Sequence, residues 1–257
     1  MGFEIDQSGK VSVNHDNNNF GDTRIQSNPT DATTKCNSNP LTVHSLILRH
    51  KNHTTNKNRS IGDNCPLIYA LKKKENLSIT YNSFKPLVPN LKKIIEKFLQ
   101  QQQSLGMIFQ EVISMPSSHS ISKILGNRMA NSFSAYHQSS AFTKATALDV
   151  KQQVVNDFRR INHAARTNIT NAANRALTEG REFSLSDVST KHRKFVQHIS
   201  LNPNYNINYD HKILLVDDLF ATGKTLTTAK SLLIQKGVDP LMIVGLCLFS
   251  PLDGRIR

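Results

Sequence analysis

Two adjacent carboxylates, Asp217 and Asp218, follow the apolar run ILLV in the segment ILLVDDLFATGKTLTTA (213–229). Adjacent acids at the end of a strand can accept hydrogen bonds from a vicinal diol. They can also help to hold a hard cation such as Mg²⁺ through its water ligands. The pair therefore predicts a site for a hydroxylated ligand, with no protein side chain as a direct metal ligand.

The loop after the acids has a second pattern of the same kind. It enters a predicted helix as Ala-Thr-Gly-Lys-Thr, and the free N–H groups and positive dipole end of a helix N-terminus favour a phosphate. Gly223 lets the backbone approach a ligand, while Thr222 and Thr225 supply hydroxyl groups. Diol acceptors beside a phosphate cradle describe a pocket for ribose 5-phosphate. The alternative is a plain strand–turn–helix with solvated acids; an NTPase loop is excluded because GxxxxGK[ST] lacks its first glycine here.

These residues need a scaffold that brings strand ends together. Apolar segments at 213–217 and 241–249 predict two buried strands, and 225–236 predicts the helix between them. Such a unit is a right-handed βαβ crossover in an at least partly parallel sheet, where ligands sit outside the carboxyl ends of the strands. Further strands are predicted at 41–50 and 107–116. The predicted class is therefore α/β.

The segment ILLVDDLFATGKTL resembles the phosphoribosyl pyrophosphate (PRPP) motif of type I phosphoribosyltransferases, a glycosyltransferase class. The resemblance implies a Rossmann-like fold, with a mainly parallel sheet flanked by helices. It also implies transfer of ribose 5-phosphate from PRPP, with Mg²⁺ and release of pyrophosphate. The catalytic acids, which contact the ribose 2- and 3-hydroxyls, would be Asp217 and Asp218. The 5-phosphate loop would consist of Ala221, Thr222, Gly223, Lys224 and Thr225.

A second family feature is a loop that binds pyrophosphate after an earlier strand. The segment VISMPSSHS stands in its place and implies Ser117, Ser118 and His119. Nine residues separate Pro116 from Gly126, similar to the P-x9-G-[FN] spacing of the ComF-like branch. The segment LIYALKKKEN also resembles the basic helix of that branch.

Two departures from the family bear on the substrate and on the architecture. Many members have Thr at the position of Ala221, and purine-salvage members have an Asp that handles the purine proton. Ala221 therefore predicts that hypoxanthine and guanine are not acceptors, and leaves the acceptor open. The cysteines of the N-terminal zinc ribbon that ComF-like proteins often carry are absent, since Cys36, Cys65 and Cys247 lie far apart.

The charge of the chain predicts anionic partners. A formal charge of +13 favours nucleic acid, phosphorylated metabolites or an acidic protein over neutral ligands, the alternative being a generally basic surface. Candidate DNA or RNA contacts lie in FRRINHAAR and TKHRK: Arg159, Arg160, Arg166, Lys191, Arg193 and Lys194. The arginines of the first segment, together with Arg175, also lie where the family has its catalytic loop. Lys72, Lys73 and Lys74 are further phosphate candidates, with a solvated face as the alternative.

Composition predicts the organisation of the rest. Residues 1–40 are rich in Asn, Asp, Ser and Thr and predict a disordered or extended, flexible N-terminal arm. Residues 41–257 are predicted to form the phosphoribosyltransferase-like domain. Scattered cysteines, no signal-peptide pattern and no membrane-length apolar run predict a cytoplasmic protein without a membrane partner. The oligomeric state stays open, with a homodimer or a larger complex both compatible.

Two functions remain at this point. The first is the enzyme described above. The second is a non-salvage regulator or nucleic-acid-associated effector on the same fold, because phosphoribosyltransferase-like proteins also occur in DNA uptake and among anti-phage effectors, including those of retrons.

Overall fold

Apolar runs with few polar interruptions form the central strands, as expected for strands buried on both faces. The computed structural model describes residues 2–14, 16, 19–34, 40–50, 65–117, 119–220 and 223–250. Its strands are β1 (Gly2–Ile5), β2 (Val11–Asn14), β3 (Gly21–Asp22), β4 (Thr30–Thr33), β5 (Thr42–Arg49), β6 (Glu111–Ser114), β7 (Tyr136–Gln138), β8 (Phe142–Lys144), β9 (Ile199–Leu201), β10 (Ile213–Leu219) and β11 (Ile243–Ser250). Its α-helices are α1 (Pro66–Leu71), α2 (Tyr81–Phe84), α3 (Leu87–Ser104), α4 (Ile121–Phe133), α5 (Ala147–Asn156), α6 (His163–Thr178) and α7 (Lys224–Gln235).

The main sheet has the order β3-β5-β11-β10-β6-β7. The five strands from β5 to β7 are parallel to their neighbours, whereas β3 and β4 pair antiparallel with β5. The protein is therefore mixed α/β with a sheet that is parallel in its core, which confirms the predicted class. Strand β10 lies at the centre, between β11 and β6.

The chain reverses its direction of winding between β6 and β10. From β6 it passes through α4 to β7 on one side, and from β10 through α7 to β11 on the other. The carboxyl ends of β6 and β10 therefore flank a topological switch point, where open α/β sheets form their ligand crevice.

Alternating side chains of β10 supply both faces of the sheet. Leu214 and Val216 join the core beneath α1, α3 and α4, while Ile213 and Leu215 pack with the buried face of α7. This period of two follows from strand geometry. The packing of these side chains on both faces of the sheet fixes the position of β10 and of the two acids near its end.

A third apolar cluster belongs to residues 147–196, here called the α5–α6 module. Its helices pack through small side chains such as Ala165, Ala172 and Ala173, together with Ile169 and Val150. The sequence of this stretch is polar and basic and has only a weak helical pattern, whereas the structure contains two packed helices. Alanines that pack closely account for the difference, because they build a core with little apolar bulk.

The N-terminal segment differs from the mobile arm predicted for residues 1–40. Its described residues form β1 to β4, of which β3 and β4 extend the main sheet. Phe3 is 1% exposed and packs edge-to-face on Phe249, with ring centroids 5.8 Å apart, and Val11 is fully buried. Isolated apolar residues among polar ones give no periodic signal, so the sequence pattern conceals this packing. None of the described helices has the length and apolar composition needed to cross a bilayer.

Candidate functional site

The two acids lie at the carboxyl end of β10, beside the switch point. The Asp217 carboxylate oxygen Oδ1 accepts hydrogen bonds from the Asp218 backbone N–H at 2.8 Å and from the Ser122 hydroxyl at 3.5 Å. Asp218 is only 5% exposed, and its Oδ2 forms an ion pair with the ammonium of Lys72 at the end of α1. Lys72 therefore lies at the candidate site and not on a fully solvated face.

The two acids differ in their electrostatic surroundings. Burial, and next the negative charge of Asp218, raise the pKa of Asp217 to about 7; the Asp218 N–H, Lys72 and Ser122 act in the opposite direction. A group with this pKa can exchange a proton near neutral pH. A carboxyl group whose pKa is displaced by burial and by a neighbouring charge is typical of functional sites.

The predicted pyrophosphate loop follows β6 on the other side of the switch point. The backbone N–H of His119 donates to the Ser117 hydroxyl at 3.3 Å, and Ser118 lies outside the described residues. Partial burial, followed by the nearby charges of Lys72 and Lys74, lowers the pKa of His119. His119 therefore lies within the electrostatic range of Lys72, the residue that pairs with Asp218.

Gly126 allows α4 to lie against β6 directly behind this loop. A Cβ at this position would overlap the Ser114 hydroxyl and lie 2.8 Å from Nε2 of His137. The Ser114 hydroxyl itself donates to the Ser122 carbonyl at 3.1 Å and lies 2.8 Å from the same histidine nitrogen. A glycine at this distance from Pro116 thus has a structural reason, since only a residue without a Cβ lets α4 lie this close to β6.

The N-terminus of α7 supplies the predicted phosphate loop. Gly223 precedes the helix with φ +71°, a left-handed conformation that favours glycine, and its Cβ would overlap the Phe220 ring. Thr225 Oγ1 lies 3.1 Å from Nε2 of His198. Burial, and next the positive charge of Lys224, lower the pKa of His198 to about 4. Ala221 and Thr222 lie outside the described residues.

A cleft of about 480 Å³ joins these elements at the switch point. Asp217, Asp218, Ser117 and Thr225 line it. Its volume is in the range of small-molecule sites. Four basic residues, which suit a ligand with several phosphate groups, also line it: Lys72, Lys74, Lys144 and Arg181. This cleft is the candidate active site.

Lys144, Arg181 and His198 are site residues that the sequence analysis missed. Lys144 pairs with Glu182 at 2.9 Å, and Arg181 pairs with Asp187 at 2.6 Å. They reach the cleft because the α5–α6 module and its flanking strands fold over the end of β10. No motif joins them to Asp217 in the sequence, so pattern alone could not find them.

The arginines predicted for a catalytic loop lie elsewhere in the described structure. Arg166 donates to the carbonyls of Phe158 and Ile161 at 2.7 and 2.8 Å. Arg175 donates to the Asp187 carbonyl at 3.2 Å. Lys224 lines a neighbouring cleft rather than the one that contains the acids.

Hard oxygen donors converge at the site without forming a metal cage. In the described part of the chain, no three His, Cys, Asp or Glu side chains are grouped to hold a metal ion. The carboxylates of Asp217 and Asp218 suit a hydrated Mg²⁺ that a polyphosphate ligand brings with it.

No protein-family model matches the chain, and no curated protein matches it either.

Proposed function

We propose that the protein binds PRPP with Mg²⁺ in this cleft and transfers its ribose 5-phosphate group to an acceptor, with release of pyrophosphate. The observation that carries the proposal is the position of Asp217 and Asp218. They lie at the end of the central parallel strand, at the topological switch point, beside the N-terminus of α7. The two carboxylates and Thr225 therefore line the same cleft.

Each part of PRPP has a matching group in the cleft. The ribose 2- and 3-hydroxyls donate to Asp217 and Asp218, and the 5-phosphate binds the loop 221–225, with the N–H groups that begin α7 and the Thr225 hydroxyl. The pyrophosphate faces the basic side of the cleft, beside Ser117 and His119. The cations on this side of the cleft are Lys72, Lys74, Lys144 and Arg181.

Asp217 and Asp218 would hold a hydrated Mg²⁺ through its water ligands, and the ion would supply positive charge that stabilises the leaving group. The protein side chains complete the step. Breaking the bond between ribose C1 and pyrophosphate leaves positive charge on the sugar, which the buried carboxylate of Asp218 stabilises. The basic residues opposite accept the growing negative charge of pyrophosphate.

Lys72 connects the ribose and pyrophosphate parts of the site. Its ammonium pairs with Asp218, and a ribose hydroxyl that donates to the same carboxylate competes with that pair. Ligand binding would therefore release Lys72 toward the pyrophosphate. Asp217, with its pKa near 7, can take the proton that an acceptor N–H or O–H loses on attack.

Thermal unfolding with and without ligand tests the binding step. Saturating PRPP with Mg²⁺ at about 100 times its Kd stabilises the folded state by about 2.7 kcal/mol, which raises Tm by roughly 5–10 °C in a chain of this size. The double variant Asp217→Asn, Asp218→Asn should show no shift. The matched control replaces two exposed acids, Asp16→Asn and Asp210→Asn, and should shift like the wild type.

Pyrophosphate release tests the transfer step. Candidate bases, amines and oligonucleotides are supplied with PRPP and Mg²⁺, and release above the acceptor-free rate identifies the acceptor. Stabilisation by PRPP without release from any acceptor would favour the regulator hypothesis. Absence of stabilisation at millimolar PRPP would contradict the proposed pocket.

A further inference from the structure

A second cleft of about 490 Å³ lies between the α5–α6 module and α7. Lys224 lines it, while its neighbour Thr225 lines the first cleft. Its floor includes the buried apolar residues Ile161 and Val196. The first turn of α7 therefore contributes to two clefts, and the proposed function uses only one of them.

The charge that faces the second cleft is mainly positive. Arg160, Lys194 and Lys224 line it, and Asp157 is the acid among its lining residues. Nη1 of Arg160 lies 3.9 Å from Oδ1 of Asp157, but the arginine side chain is 87% exposed, so the pair holds it weakly. Lys194 extends over the Phe195 ring, with its ammonium 5.0 Å from the centroid. Arg160 and Lys194 can therefore contact an anionic ligand in the cleft.

An exposed aromatic residue, Phe158, follows Asp157 in the chain and precedes Arg160 by two positions, and both of these residues line the cleft. Phe158 is 59% exposed, and the guanidinium of Arg166 lies 3.7 Å from its ring centroid. The same guanidinium donates to the carbonyls of Phe158 and Ile161. Arg166 thus holds the loop and the ring in place, although much of the ring remains in contact with solvent.

Some basic residues of this region bind backbone carbonyls, whereas others line the cleft or are exposed outside it. Arg193 donates to the Val188 carbonyl at 2.8 Å and to the Ser186 carbonyl at 3.2 Å, so it holds the turn as Arg166 does. Arg160 and Lys194 instead line the cleft, whereas Arg159 and Lys191 are exposed outside it. Of the six basic residues predicted as nucleic-acid contacts, Arg160 and Lys194 therefore line the second cleft.

We propose that the second cleft binds single-stranded nucleic acid, with phosphates against Arg160 and Lys194 and a base stacked on the neighbouring Phe158. Proteins that bind single strands combine a positive groove with exposed aromatic rings. The volume of the cleft is in the range of sites for one small ligand, so we expect it to accept one nucleotide of a flexible single strand in preference to a duplex. The inference does not depend on PRPP binding, because it uses different side chains.

Two variants with the same loss of charge test the proposal. Arg160→Gln with Lys194→Gln removes two cations from the cleft, and Arg159→Gln with Lys191→Gln removes two cations from the surface beside it. Binding of a fluorescent 12-nucleotide single strand, as DNA and as RNA, is measured by anisotropy between 50 and 200 mM salt. In a plot of log binding constant against log salt concentration, each lost phosphate contact reduces the steepness of the slope by about 0.7. The cleft variant, which loses two contacts, should therefore have a slope that is less steep by about 1.4. The surface variant should keep the wild-type slope.

The stacked base has a test of its own. Phe158→Ala should weaken binding at least about fivefold, while Phe158→Tyr should retain it. Lys194→Arg should also retain binding, and melting curves of each variant confirm that it is folded. The proposal is overturned if both double variants lose the same slope, if a duplex of equal length binds as tightly, or if no strand binds at 50 mM salt.

Discussion

Replacing Asp217 by Asn is expected to stabilise the protein at neutral pH while it removes a ligand contact. Asn has the same shape, and its Oδ1 can accept the hydrogen bonds that the Asp218 N–H and the Ser122 hydroxyl donate to the acid. The substitution therefore removes the ionisable proton and little else. Its effect on stability should reflect the electrostatic cost of Asp217.

The effect of Asp217 on the free energy of unfolding depends on pH, and the direction of this dependence follows from its raised pKa. The pKa of Asp217 is raised from 3.8 to about 7 in the folded protein. The folded state therefore binds more protons than the unfolded state between about pH 4 and 7, and the free energy of unfolding falls as pH rises through that window. A shift of about 3 units corresponds to about 4 kcal/mol at pH 8. Since local relaxation reduces this value, we expect a gain of about 1–4 kcal/mol for Asp217→Asn.

Urea unfolding at pH 3.5, 6 and 8 measures this gain. The wild type and Asp217→Asn should have nearly equal stability at pH 3.5, and the difference should grow up to pH 8. Asp218→Asn is the matched comparison. Because it leaves the Lys72 ammonium without its carboxylate, it should destabilise the protein at pH 8.

Equal effects of Asp217→Asn at pH 3.5 and pH 8 would refute the electrostatic reasoning. So would a destabilised Asp217→Asn at pH 8, since the acid would then be stabilised by its surroundings. A gain in stability together with loss of PRPP binding would identify a group that is kept for function at a cost to folding.

Three further predictions concern the loops and the substrate. Gly126→Ala should destabilise the protein by about 1–3 kcal/mol in urea unfolding, because its Cβ overlaps the Ser114 hydroxyl; unchanged stability would contradict the close approach of α4. Gly223→Ala should cost about 1–2 kcal/mol for its positive φ and weaken PRPP-induced stabilisation, since its Cβ overlaps the Phe220 ring; a wild-type thermal shift would exclude this turn from the phosphate site. Hypoxanthine and guanine should yield no nucleotide with PRPP, because Ala221 has no carboxylate; nucleotide formation detected by chromatography would refute this interpretation.

The βαβ unit around the acids could be predicted from the sequence because its signals are local. The strand predicted at 213–217 extends to Leu219, and the helix predicted at 225–236 is Lys224–Gln235. A continuous apolar run, a glycine before the helix and a short crossover determine this unit without distant contacts. The same pattern placed both acids at a strand end.

The opposite side of the cleft could not be predicted in this way. Lys144 and Arg181 reach the cleft through tertiary packing, and nothing in their local sequences separates them from other exposed basic residues. The buried Phe3 is similar, since a single aromatic residue in a polar segment has no periodicity. The structure also separates Arg160 and Lys194 from their basic neighbours, which composition alone cannot do.

Calorimetric titration of the protein with PRPP in the presence of Mg²⁺ tests the central claim most directly. We predict one binding site per chain, loss of the signal in the variant Asp217→Asn, Asp218→Asn, and wild-type affinity in Asp16→Asn, Asp210→Asn. Binding of equal affinity without the two acids, or no heat of binding at millimolar PRPP, would contradict the assignment of the cleft.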